Sequence, residues 1–180
     1  MLQITIPATE SFNNKNNTFI YTEEQVLQLE HSLVSLSKWE SKWCKPFLSK
    51  ERKTPEETID YIRCMTLTQN VDPMIYLNLS DENIRQVNDY IEAPMTATWF
   101  REGNKTGSSN EVVTAEIMYY WMIALDIPME CENWHLNKLL TLVRVCNEKN
   151  KPQKQMSKKE LMSRNRALNE ARKKQLNTKG

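Results

Sequence analysis

Glycine is almost absent: the 180 residues hold three, Gly103, Gly107 and Gly180. No phosphate-cradling glycine loop can be built from them, which excludes P-loop and dinucleotide-binding readings. The same scarcity argues against a sandwich or barrel with many tight turns. Histidine is scarcer still, with only His31 and His135. The four cysteines, Cys44, Cys64, Cys131 and Cys146, show no CxxC or finger-like spacing, so reduced, mostly buried thiols are expected. Long apolar runs are missing too. The longest, Ile117 to Leu125, falls far short of the ~20 residues that a membrane span needs. The opening "MLQITIPATE" is neither basic nor long enough for a secretory leader. These absences predict a protein made in a cytoplasm, with no membrane partner.

What is present fits one domain with an appended arm. Hydrophobic residues make up 39 % and charged residues 26 % of the chain, within the range of ordinary soluble proteins, and the length allows a real core. Net charge is +1, but the average hides a division. Residues 149–180 carry eleven Lys/Arg against Glu160 and Glu170, a net of +9, while residues 1–148 carry a net of −8. We therefore divide the chain into an acidic, mostly helical body (1–148) and a basic linker with a C-terminal helical arm (149–180), an asymmetry that points to a partner.

The expected fold class is mainly α: five or six helices, a short N-terminal β-hairpin and the basic arm. "LQITIP" and "TFIYT" read as the two strands, separated by the polar "ATESFNNKNN". Thr22 and Gln25 read as a capping box for a helix carrying Val26, Leu29, Leu33 and Leu36 and running to Trp39 and Trp43. Thr54-Pro55-Glu56-Glu57 starts a second helix with Ile59, Ile62 and Met65 inward and Leu67 beyond its end. "PMIYLNL" reads as a short strand or extended segment, and Ser80-Asp81-Glu82 opens a helix with Ile84, Val87 and Ile91 on one side, closed by Pro94. "MTATWF" has strand-like residues and "REGNKTGSSN" is a flexible loop. Ser108 and Glu111 box the start of the most hydrophobic helix, with Val113, Ile117, Tyr120, Trp121 and Ala124 on its inner face and "YYWM" in the core. A further helix, about Cys131 to Asn147, completes an apolar helical hairpin at the centre of the core. Ser157 and Glu160 launch the arm helix. Its three leucines would contribute about 5 kcal/mol if buried, which ordering some twenty residues consumes, so the arm is expected to project or to become ordered on a partner.

Catalytic chemistry finds little footing, and no catalytic, cofactor-binding or metal site is assigned. His31, beside Glu30, reads as a solvent-facing helix position. Cys131 and His135 could share a helical face, but no second ligand pair accompanies them. The paired acids Glu23-Glu24 and Glu56-Glu57 fall at helix starts, where the dipole accounts for them. Trp39 and Trp43, four apart, are either core or an exposed ridge for a partner. The candidate partner-binding residues are Trp39, Trp43, Leu161, Arg164, Leu168, Arg172, Lys173 and Lys174. Nucleic acid is disfavoured: no aromatic follows Trp134 and the acidic body would repel phosphate.

The segments "KWESKWCKPFL", "TPEETIDYIRCMTL", "EIMYYWMIALDIPMECENWHLNKLLTLVRVCN" and "MSKKELMSRNRALNEARKKQLNTKG" resemble proteins encoded among the structural genes of tailed bacteriophages, and the tail assembly chaperones are the nearest group. That resemblance, spread from residue 38 onward, implies a small helical, non-enzymatic late protein acting in the host cytoplasm. It would hold the tape measure protein and deliver it to the tail tube protein. The family has no fixed catalytic motif, so no residue roles carry over. The N-terminal strands and the basic tail depart from it, and would also suit a virion component whose arm docks on neighbouring head, neck or tail subunits, with self-association as a further option. A small nucleic-acid-associated or regulatory protein is the third reading.

Overall fold

In the computed structural model, which describes residues 1–13, 18–100, 112–151 and 158–177, a period of two governs the first thirty residues. Strand β1 (Leu2–Ile6) pairs antiparallel with β4 (Gln25–Leu29), Leu2 opposite Leu29 and Ile6 opposite Gln25. Between them β2 (Thr9–Asn13) pairs with β3 (Thr18–Thr22). The expected hairpin is therefore present, with different partners. "LQITIP" pairs with "QVLQL", and "TFIYT" pairs within the stretch read as a polar spacer. Gln25–Leu29, expected as the first turns of a helix, is a strand because Leu27 and Leu29 alternate inward, Leu27 opposite Ile4 and Leu29 opposite Leu2. That cross-strand partner lies more than twenty residues away, and it overrides the local helix signal.

Helix α1 (Leu33–Trp43) starts instead at Ser32, whose hydroxyl accepts the Ser35 N–H at 3.3 Å while the Ser35 hydroxyl accepts the Ser32 N–H at 2.9 Å. It buries Leu33, Leu36 and Trp39. The predicted start of α2 (Pro55–Met65) is in place: Thr54 caps Glu57, and Ile62 and Met65 are buried while Leu67 lies past the end. Helix α3 (Asp81–Glu92) opens on Ser80 with Val87 inward. "PMIYLNL" is not extended. Asp72 caps a short 3-10 helix, Pro73–Asn78, which buries Ile75 and Tyr76. "MTATWF" forms no strand, and the expected loop 101–110 and the Ser108–Glu111 box lie outside the described residues.

Helix α4 (Ala115–Ala124) begins after Val113, with Thr114 at its cap position. The buried face is Ala115, Met118 and Met122, not the expected one: Tyr120 and Ala124 are exposed, and Ile117 and Trp121 are half-buried. A helix apolar on all sides has no polar face to orient it, so its attachments decide. One is Glu40, a buried carboxylate on α1, which accepts the Ala115 N–H at 2.7 Å on one oxygen and the Phe47 N–H at 2.8 Å on the other. Helix α4 thus lies against α1. Helix α5 (Leu136–Asn150) starts later than expected, because Cys131 belongs to a 3-10 turn, Met129–Asn133, and Trp134 precedes the helix. The core centres on the β1–β4 ladder, α1 and α2, with α4 and α5 contributing Met118, Met122, Leu136, Leu139 and Val143.

The scarcity of glycine has a structural counterpart. Cys44, Asn70, Met95 and Asp126 occupy the left-handed region at φ 51°, 57°, 48° and 52°, where glycine would be free of the Cβ penalty of roughly 1–2 kcal/mol. Cys44 closes α1 there and is exposed, against the expectation of mostly buried thiols; of the four free thiols only Cys131 is buried.

The chain divides into two compact units, Met1–Asn147 and Glu148–Gly180. Helix α6 (Lys158–Leu176) lies in the second. The described residues hold six α-helices, so the chain is mainly helical with an N-terminal antiparallel hairpin.

Glu40→Ala orphans two buried amides and is expected to destabilise the fold by about 3 kcal/mol, with Glu40→Gln losing roughly half of that, in urea unfolding. Cys44→Gly is expected to raise stability by up to about 1 kcal/mol in the same measurement, the relief of the left-handed strain less the added entropy of the unfolded chain.

Candidate partner-binding surfaces and the buried histidine centre

The two tryptophans do not form a ridge for a partner. Trp39 is 1 % exposed, its ring edge-on to Phe47 and Tyr61, and its indole N–H donates to the Glu57 carbonyl at 2.9 Å. Trp43 is half-buried, and its indole N–H donates to Asp60 at 2.9 Å. Lys42 also pairs with Asp60. Burial pushes the Asp60 carboxyl up, but the bonds from Lys42 and Trp43 outweigh it and hold the group below the usual range. Four residues apart on one helix face, both rings pin α1 to α2. Trp39 is thereby removed from the candidate partner residues: an indole sealed in the core has nothing to offer a second molecule.

The other candidates lie on α6. Every residue of this nineteen-residue helix whose burial is described is exposed, Leu161 and Leu168 at 47 % each. At 100° per residue Leu161 and Leu168 fall along one side, with Arg164 and Arg172 on either flank, Ala171 just beyond Arg164, and Lys173 and Lys174 farther round. Arg166 and Glu170 form an exposed pair at 3.7 Å, of a kind that contributes at most about 0.5 kcal/mol. Most helices in proteins draw their stability from packing an apolar face, and the leucines of α6 are exposed.

The histidines depart most from expectation. His31 is not on a helix and does not face solvent. It continues the inward alternation of Leu27 and Leu29 at the end of β4 and is 2 % exposed. That alternation was the available signal, hidden by the competing helical stripe. His135 is buried too, its ring 5.1 Å from that of His31, edge to face. The backbones meet as well: the Leu136 N–H donates to the His31 carbonyl at 2.7 Å.

Hydrogen bonds fix the tautomers. The Asn137 N–H donates to His135 Nδ1 at 3.2 Å, so the ring proton sits on Nε2 and donates to the Tyr90 carbonyl at 2.9 Å. Both nitrogens are engaged, which leaves none for a Cys131–His135 metal pair. Among the described residues no cluster of three metal-ligating side chains occurs. The Tyr61 hydroxyl lies 2.6 Å from His31 Nδ1 and 3.5 Å from the Ser35 hydroxyl. Since Ser35 Oγ already donates to the Ser32 carbonyl, Tyr61 donates to His31. Burial, then the charge of His135, pushes His31 down to about 3, and burial pushes the Tyr61 phenol up. At neutral pH His31 is an uncharged hydrogen-bonding core residue.

Beside this centre a cleft of 360 Å³ is lined by Glu30, Tyr90, Met95, Trp134, His135 and Lys138, among others. Its polar groups already serve one another. The Tyr90 hydroxyl donates to Glu30 at 2.8 Å, and the Lys138 ammonium lies 4.2 Å from the Trp134 ring centroid. Among the described residues no helix is long and apolar enough to cross a membrane. Comparison with protein-family models, curated proteins and solved structures gives no match.

Among the described residues, all those of the buried core lie within Met1–Asn147. A chain ending at Asn150 is expected to stay folded, with a single cooperative melt within about 2 °C of the full chain by calorimetry. Leu161→Ala with Leu168→Ala is expected to change urea stability by less than about 0.5 kcal/mol.

Proposed function

We propose that this chain is a non-enzymatic interaction protein of phage morphogenesis, of the tail-assembly-chaperone kind, which binds the tape measure protein and delivers it to the tail tube protein in the host cytoplasm. The observation that carries this reading is α6, a basic helix with Leu161 and Leu168 exposed on the side flanked by Arg164 and Arg172. Before assembly a tape measure protein is a long helical chain presenting apolar stripes. A helix of this kind can cover part of such a stripe by helix-to-helix contact, and several weak contacts allow later release. The positive charge steers encounter and sets register more than it adds affinity. The resemblance in "MSKKELMSRNRALNEARKKQLNTKG" and the preceding segments gives the partner its name.

A second reading, a virion protein whose arm docks on neighbouring subunits, has one observation in its favour. The β2–β3 ribbon pairs only with itself among the described residues, so its outer edges are open to a strand from another subunit.

Mass spectrometry of purified particles beside pull-downs from infected lysate separates the two. The chaperone reading expects the chain to be missing from particles and to co-purify with the tape measure protein, and Leu168→Glu with Arg172→Glu to weaken that capture at least tenfold. Abundant chain in particles with no tape measure capture favours the virion reading. Binding to duplex DNA that weakens steeply with salt and disappears on truncation after Asn150 would favour the nucleic-acid reading over both.

A further inference from the structure

His135 stands immediately before the first residue of α5, and its Nδ1 accepts the N–H of the second, Asn137. It therefore does the work of an N-cap side chain. The other ring of the pair, His31, also uses Nδ1 as an acceptor, from Tyr61. A proton added at either Nδ1 sets donor against donor. Tyr61 can rotate its hydroxyl away, but the Asn137 amide is fixed by the helix. A cation at this end of α5 also faces the positive end of the helix dipole. Two charged rings 5.1 Å apart in the core would repel each other besides.

No carboxylate among the described residues is hydrogen-bonded to either ring, whose partners are Tyr61, the Tyr90 carbonyl and the Asn137 amide. Glu30, at the end of β4, accepts from Tyr90 of α3 and pairs with the Met1 ammonium at 3.0 Å, which lines the same cleft. Glu40 of α1 spends both oxygens on the amides of Phe47 and Ala115. Tyr61 of α2 and Tyr90 of α3 also face the rings. Lys138 of α5 lines the cleft beside His135, and Lys53 lies 4.2 Å from the centroid of the Phe47 ring that faces His31. Both lysines add positive charge and so oppose protonation of the rings.

We propose that the His31–His135 pair is an acid-operated latch: proton uptake there frees the head of α5 from the strand-to-helix junction while the β1–β4 ladder stays paired. The latch is independent of what α6 binds. Its sign follows from linkage. A histidine held neutral in the closed form, with an ordinary value near 6.5 when opened, contributes stability that is complete above that value. The contribution is lost progressively as pH falls toward the closed-form value. For His31 alone, the opening equilibrium is expected to rise about 25-fold between pH 7 and pH 5. Three of the carboxylates lie clear of that window. Glu57, Glu82 and Glu116 are all held below their usual range, chiefly by bonds from Lys45, from Arg85 and from the Glu116 backbone amide.

The test is amide exchange of the full chain by NMR at pH 7, 6 and 5, corrected for intrinsic rates. The Leu136 and Leu139 amides are expected to lose protection about 25-fold over that range, while those of Ile4 and Leu27 change by less than threefold. Equal loss at all four sites would mean ordinary global acid unfolding and would overturn the latch, as would protection at Leu136 that does not change. The double variant His31→Gln, His135→Asn keeps an acceptor at each position without a titrating ring, and should flatten the pH response. Should that variant not fold, the ring nitrogen shifts of the wild-type chain decide. His31 is expected to stay neutral to pH 5 in the closed form, and its protonation near pH 6.5 with Leu136 still protected rules the latch out.

Discussion

The fold depends on how the chain passes from strand to helix between Gln28 and Ser32. Peptide groups in the interior must find partners, and here the partners come from remote segments. The Glu30 N–H donates to the Met65 carbonyl, the Leu67 N–H to the Gln28 carbonyl and the Leu136 N–H to the His31 carbonyl. The end of α2 and the start of α5 are thus both fastened to one extended stretch. The His31 ring, packed among Tyr61, Phe47 and His135, fills the space those attachments enclose. Remove the junction and the helices keep their capping residues but lose the contacts that place them relative to one another.

Electrostatic organisation follows the same economy. In the body, acids that are buried or half-buried act as acceptors for named donors: Glu40 for two amides, Glu57 for Lys45 and Thr54, Asp60 for Lys42 and Trp43. In the second unit the positive charge sits on an exposed helix. The formal division between residues 1–148 and 149–180 therefore corresponds to two uses of charge. One satisfies internal donors, and the other faces solvent.

Helices whose starts are encoded locally were legible in the sequence. Thr54-Pro55-Glu56-Glu57 and Ser80-Asp81-Glu82 mark α2 and α3 because capping is a matter of three or four adjacent residues. What could not be read locally was decided by distant partners. Val26, Leu29, Leu33 and Leu36 form a fair helical stripe, and only β1 makes Gln25–Leu29 a strand. In α4, apolar residues all round left the inward face to be chosen by its neighbours, with Glu40 holding its first turn. The exposure of Arg172, Lys173 and Lys174 was legible from their charge, and Trp39 was misread, because one helical spacing serves a core pair and a surface ridge alike. The histidines escaped notice for a related reason. A polar residue is placed inside only when donors and acceptors from other elements meet it there, and no single stretch of sequence displays that meeting.

The tie from His31 to Leu136 also orders events during synthesis. An emerging polypeptide can pair β1 with β4 and seat α2 early, since those segments are neighbours in the message. The interior stays unsealed until α5 clears the ribosome. Among the described residues those that follow Asn147 are not in the core cluster, so closure need not wait for them. The nascent body can be complete while the cationic tail is still threaded through the exit tunnel.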